Sequence, residues 1–362
     1  MKLFFRLILF VFIAHLLFRV YSYREEFLIP FNADYWRQRY LASQWVDPLS
    51  TNPIGDDGLF TYAAWEYIQG GDPSLINAET PPLGKYLIGA SILIFKNQNI
   101  FALLVGILTL FVFYKLNLLL FKDRFLATLP VVFFSFEPLF YTQLRAPYLD
   151  TLYLLFLLTT FYFLLKEKFL ISAIFLGLMA ATKNTASTFL LMSGTCCFYL
   201  LVVKIKRLPL FFGSLLISFS VLLLTYFRYF WLGHSLRDFL GLQKWILNFY
   251  AIGAKGTFAM VFPMLLFNRW QTWWSGVVKI SEWQISWPIL PVVSVWYLVF
   301  SIWGKRLDYF SLLLIWVIIY LAFLSFIPVW PRYFLNLLPF LYILSLKGIL
   351  LGFSHAKKIL KT

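Results

Sequence analysis

Two adjacent carboxylates, Asp56 and Asp57, open the stretch GDDGLFTY, and a third, Glu79, stands before Thr-Pro-Pro-Leu-Gly-Lys, which ends at Lys85. A carboxylate pair could take a proton from an attacking hydroxyl. A lysine in the first turn of a helix suits an anion such as phosphate. A second cluster, EPLFYTQLRAPYLD, gathers Glu137, Arg145 and Asp150 around one short turn. Lys183 closes GLMAATK and Arg332 stands in VWPRYF. Each piece alone also has a plain structural reading. Gly-Asp-Asp-Gly is ordinary turn composition, Lys85 and Lys183 could be snorkelling helix ends, and Arg145 and Asp150 could be an ion pair closing a turn. What asks for a reason is so dense a polar set in this chain.

The chain is 61% hydrophobic and 21% aromatic with 13% charged residues, and its mean hydropathy is +0.78. Those values place it among polytopic membrane proteins rather than soluble domains. The formal net charge of +15 would suit a nucleic-acid binder, but the bases fall in small groups between apolar runs, as topology determinants do, so no nucleic-acid partner is expected. The cysteines, Cys196 and Cys197, are adjacent inside an apolar segment and offer neither a disulfide framework nor a cysteine metal site. The first apolar run lacks a small-residue cleavage site and reads as a retained span.

Apolar runs long enough to span lie near residues 7–22, 98–119, 125–142, 149–165, 169–182, 186–203, 208–231, 287–303, 309–328 and 333–353. Residues 86–95 and 258–267 are too short to cross and read as juxtamembrane or re-entrant helices. The fold class expected is an all-α polytopic membrane bundle of about ten transmembrane helices. It forms a single domain over residues 1–362, with a first outer loop at 23–97, a second at 232–286 and no appended soluble domain.

Ten spans put both termini on one side. Sixteen bases but three acids, Asp123, Glu167 and Asp308, then fall on that side, while the other, leaving aside Arg19 and Arg228 within spans, holds thirteen of each. The asymmetry predicts cytoplasmic termini. It also puts Asp56, Asp57, Glu79, Lys85, Arg145, Asp150, Lys183 and Arg332 on the outer face. Glu137 lies just inside an apolar span, where an ionisable group is a functional candidate by default.

Taken together, these segments resemble the GT-C glycosyltransferases. GDDGLFTY, GDP and ETPPLGKYLIG resemble the first outer loop of protein O-mannosyltransferases and of the aminoarabinose (lipid A) transferases. EPLFYTQLRAPYLD, GLMAATKNT, the SLRDFLGLQKWILNFYAIGAKG loop with WQTWW, and PRYFLNLLPFL follow in the family's order. The family's Asp-Glu is Asp56-Asp57 here. Its His before Pro-Pro is Thr80, with Glu79 beside it, which is nearer the aminoarabinose type.

The resemblance implies an extracytoplasmic active site and a polyprenyl- or dolichyl-phosphate-linked monosaccharide donor, mannose-like favoured. It implies transfer to a hydroxyl on a protein, glycan or lipid, with inversion, in a plasma-membrane or endoplasmic-reticulum setting. Asp56 is then the expected general base, assisted or oriented by Asp57 and Asp150. Glu79, Lys85, Glu137, Arg145, Lys183 and Arg332 are the expected phosphate and substrate contacts. The carboxylates are compatible with a divalent cation, although no histidine cluster asks for one, so metal stays open. The rival reading is a transporter or flippase of lipid-linked sugars. Against it, the chain has no internal repeat and no matching pair of Gly/Pro-broken spans.

Overall fold

A computed structural model describes residues 2–252, 256–272, 275–303 and 308–359. Lys255, Trp273, Trp274, Lys305, Arg306 and Lys361, on which parts of the sequence reading rest, lie outside the described residues. The chain begins with α1 (Lys2–Ser22) and the short α2 (Arg24–Leu28), α3 (Ala33–Leu41), α4 (Asp56–Ile68) and α5 (Leu83–Phe95). Next come α6 (Ile100–Phe121), α7 (Arg124–Ser135), α8 (Pro138–Thr142), α9 (Asp150–Leu165), α10 (Phe169–Ala180), α11 (Thr185–Val203), α12 (Leu208–Thr225) and α13 (Phe227–Trp231). After α14 (Leu236–Ile252) and α15 (Val261–Phe267), a two-stranded hairpin pairs Trp270–Thr272 with Gly276–Val278. The chain closes with α16 (Ser286–Trp303), α17 (Tyr309–Leu324), a 3-10 turn (Pro331–Asn336) and α18 (Leu338–Ile359).

Each expected apolar run carries a helix, but two runs are broken within, and a third, 333–353, begins in the 3-10 turn that precedes α18. The run at 125–142 divides into α7 and α8 at Glu137-Pro138. Proline disfavours helical geometry in the residue before it, and Glu137 is extended at φ −65°, ψ 122°. The run at 208–231 divides at Tyr226 into α12 and α13. The short run expected at 86–95 begins earlier, at Leu83, directly after Pro82.

Five of the described helices are long and apolar enough to cross a membrane, and six more, α5, α7, α9, α10, α16 and α17, are apolar but shorter. The chain is an integral membrane protein. α9 sits at the centre: α6 and α10 pack on it, and nearly every residue from Asp150 to Leu165 is buried. A helix apolar on all faces suits such a central place. α12 packs on the far side of α10, α17 on α11, and α18 on α16.

α10 and α12 approach closely because Gly177 has no side chain. A Cβ there would lie 2.4 Å from the backbone oxygen of Ser218, and the Ser218 hydroxyl donates to the Ala173 carbonyl at 2.8 Å. Small residues are what allow membrane helices such contact. Gly177→Val should force the two helices apart and cost about 1–3 kcal/mol, read as a lowered melting temperature in lipid nanodiscs.

At one end of the bundle Glu167 pairs with Lys204 and, at 2.9 Å, with Arg207, tying two basic loops together. At the other end the α4, α9 and α11 starts and the 3-10 turn converge.

Candidate active site

Asp56 and Asp57 are the first two residues of α4, and Asp150 is the first of α9. Carboxylates at helix N-termini face unpaired backbone N–H groups and the positive end of the dipole. Gly55, just before α4, leaves the Asp57 carboxylate room: a Cβ there would lie 2.6 Å from its Oδ1. Lys183 lies in the turn between α10 and α11, where the Asn184 side chain caps α11 by accepting from the Ser187 N–H at 3.1 Å. Arg332 is carried by the 3-10 turn, which packs on α9 and α8.

Four of the expected residues meet. The Arg332 guanidinium lies 2.5 Å from Asp56 Oδ2, and its Nε lies 3.8 Å from Asp150 Oδ2. The other Asp150 oxygen holds the Lys183 ammonium in an ion pair. Asp56 and Asp150 are thus one side chain apart, linked through Arg332. Asp150 is 1% exposed while the Asp56 side chain is 39% exposed, so the first is a structural anchor for two cations and the second is open to a reactant. The turn's ion pair is therefore made across elements, not between Arg145 and Asp150.

Burial would lower the Arg332 pKa, but Asp150 and Asp56 outweigh it and hold the guanidinium above its ordinary value. Burial lowers Lys183, with Asp150 opposing. Tyr333, beside Arg332, is pushed up to about 12 by burial and stays a neutral hydroxyl. Lys183 Nζ lies 4.9 Å from the Tyr333 ring centroid.

Lys183 also forms part of the wall of a cavity of about 1010 Å³. The rest of that wall is mainly apolar and aromatic, with Leu190, Leu191, Trp245, Phe249, Tyr250, Phe323 and Leu324 among its residues. Asp57 and Arg145 instead line a smaller polar cleft of about 320 Å³. Arg145 is exposed, 4.0 Å from Glu26. The Tyr148 phenol, in the same cleft, is pushed up to about 12 by burial, with Asp57 adding to the shift.

Three expected contacts, Glu79, Lys85 and Glu137, lie elsewhere. Lys85 is fully buried, and its ammonium donates to the Asn77 carbonyl at 2.7 Å, the Thr80 carbonyl at 2.6 Å and Asn77 Oδ1 at 3.1 Å. The Asn77 side chain also donates to Glu79. All three ammonium donors are spent on the 77–80 loop, so Lys85 is a loop clamp with none left for a phosphate. Burial raises the Glu79 pKa, with Lys85 opposing. Lys85→Met should strand this buried loop and cost about 3–5 kcal/mol. Thermal unfolding checks that.

Glu137 is likewise a tie rather than a ligand. It is buried and accepts from Ser286 Oγ at 2.6 Å, Trp287 Nε1 at 3.1 Å and the Tyr342 hydroxyl, holding α16 and α18 to the α7–α8 break. Among the described residues, no group of three His, Cys, Asp or Glu side chains is placed to hold a metal ion.

The structure superposes on that of ArnT from Cupriavidus metallidurans bound to undecaprenyl phosphate, with a TM-score of 0.59 over 82% of this chain and 56% of that one. The fold is ArnT-like. The apo state of the same protein gives a TM-score of 0.56 over 82% and 55%. Sequence identity is 17% and 16%, so the likeness is one of fold, and the chain spans just over half the length of ArnT. No protein-family profile matches the chain, and no curated protein matches it by sequence.

Within the ArnT-like bundle, sequence reasoning missed the cavity wall. Trp245, Phe249 and Tyr250 on α14 are three aromatics in a chain rich in them, and their spacing carries no signal of its own. The anchor of α14 was also missed. His234 Nε2 and Asp72 Oδ2 are 2.6 Å apart, and Arg228 Nε donates to the Gly70 carbonyl at 3.0 Å. These contacts pin the 70–72 turn to α13 and to the residues just before α14.

Proposed function

We propose that the protein is an inverting membrane glycosyltransferase that uses a polyprenyl-phosphate-linked monosaccharide on the extracytoplasmic face, within a bundle of about ten spans. One observation carries the reading: a carboxylate–cation cluster, Asp56–Arg332–Asp150–Lys183, shares Lys183 with the wall of a large apolar cavity. A lipid tail fits the cavity, and its phosphate meets Lys183 and Arg332. The ArnT structure with undecaprenyl phosphate bound makes that lipid the natural candidate.

In the reaction the acceptor hydroxyl oxygen attacks the anomeric carbon as the bond from that carbon to the phosphate oxygen breaks. The polyprenyl phosphate leaves with the bonding electron pair, stabilised by the two cations. The acceptor proton passes to Asp56, the exposed carboxylate that Arg332 orients. Direct displacement inverts the anomeric centre. Asp57 stands beside it, toward the cleft. A mannose-like donor sugar is favoured by the sequence resemblance to the O-mannosyltransferases.

The test is to incubate the purified protein in nanodiscs with undecaprenyl phosphomannose and a mixed acceptor pool. Release of undecaprenyl phosphate together with a glycosylated product of opposite anomeric configuration supports the reading. Movement of the intact donor between leaflets of proteoliposomes, with none consumed, would make the protein a transporter instead.

A further inference from the structure

The small polar cleft beside Asp57 has features that the donor does not use. Gln98 and Gln143 line it, are 8% and 7% exposed, and neither carboxamide has a hydrogen-bond partner among the described residues. Leaving a buried polar group unpaired costs free energy, so two such groups facing one cleft point to a ligand that satisfies them. The half-buried indole of Trp36 forms part of the same wall, packed over Gly58, where a Cβ would lie 2.8 Å from its ring.

The charges restrict that ligand. Glu26, Asp57 and Glu282 meet one guanidinium, Arg145, which Glu26 already approaches at 4.0 Å. Three carboxylates against one cation repel a phosphate or carboxylate. A sugar hydroxyl, by contrast, is both donor and acceptor. Its hydrogen suits a carboxylate or the buried carboxamide oxygens of Gln98 and Gln143, its oxygen suits a carboxamide N–H, and an apolar ring face suits an indole. A volume of about 320 Å³ is at the small end for ligand sites and fits a ring rather than an extended chain.

We infer that this cleft is the acceptor subsite, and that the acceptor presents a neutral, hydroxyl-rich sugar ring to Asp56 and Asp57. The inference rests on the proposed transferase reading, which gives the cleft a hydroxyl to deliver. It gives the two adjacent aspartates different tasks: Asp57 lines the cleft and holds the ring, while Asp56, paired with Arg332, takes the proton of the hydroxyl that the ring delivers.

Saturation-transfer NMR on the protein in nanodiscs tests this with three probes: methyl mannopyranoside, methyl glucuronide and an uncharged serine-containing tripeptide. The neutral glycoside should give the strong signal, the glucuronide and peptide at least fivefold less. Gln98→Leu with Gln143→Leu should abolish the glycoside signal while undecaprenyl phosphate still binds. Leucine nearly conserves volume and removes the unpaired amides, and a thermal melt checks that the variant is folded.

A peptide or glucuronide signal equal to or above that of the glycoside overturns the inference, and these comparisons need no variant. So does a glycoside signal that survives in the folded double variant. A glycoside signal in a protein that binds no undecaprenyl phosphate supports the cleft and overturns the donor reading alone.

Discussion

Asp56→Asn is expected to lower transfer by about 10²–10⁴-fold, the usual contribution of a positioned general base, and to leave donor binding intact. Asparagine keeps the shape and an oxygen that can accept from Arg332, which lies 2.5 Å from Asp56 Oδ2, but it cannot take the acceptor proton. It also removes a negative charge beside the site proposed for the donor phosphate, so binding of undecaprenyl phosphate should hold or tighten. Measuring lipid affinity and single-turnover transfer separately decides the matter. Normal turnover in Asp56→Asn would move the base to Asp57, the only other carboxylate at that helix start. Loss of binding and turnover together would instead assign Asp56 to orienting Arg332.

Asp150→Asn should have the second largest effect, and of a different kind. Asp150 is 1% exposed and is the acid shared by Lys183 and Arg332. Removing it leaves two partly buried cations facing each other with Asp56 alone to balance them. Breaking a buried pair in this way costs about 3–5 kcal/mol, so both the melting temperature and transfer should fall. The double variant Asp150→Asn with Lys183→Met removes the stranded charge as well. It should recover much of the stability but not donor binding, because Lys183 is then gone from the cavity wall. A double-mutant cycle on melting separates the pair from its surroundings. Equal stability of Asp150→Asn and the starting protein would mean that Lys183 finds another partner and that the cluster is not a unit.

Much of the bundle was legible in the sequence because the bilayer imposes a simple code. A span must be long and apolar with its backbone bonds satisfied within itself, so runs of Leu, Ile and Phe announce helices wherever they fall. Breaks were less legible. Nothing in the hydropathy of 125–142 marks the end of α7, and the one local signal, Pro138, acts through the backbone of Glu137. Glu137 itself drew attention as an intramembrane acid. Its role as a tie depends on Ser286, Trp287 and Tyr342, far along the chain, and no local pattern contains them.

The site divides in the same way. Residue types and order by themselves determined that acids lead the first long polar loop and that cations recur at the turns after it, and the charge asymmetry predicts one face for them. Those are properties of composition and of short spacing, which the chain carries before it folds. Only the tertiary structure decided which of those cations is available. Lys85 and Lys183 look alike in sequence, each a lone lysine beside an apolar helix. The 77–80 loop folds back to occupy every donor of the first, whereas the second shares one aspartate and opens on a cavity. A side chain's free valence is what remains after its neighbours have taken their hydrogen bonds, and those neighbours are set by packing between segments distant in the chain.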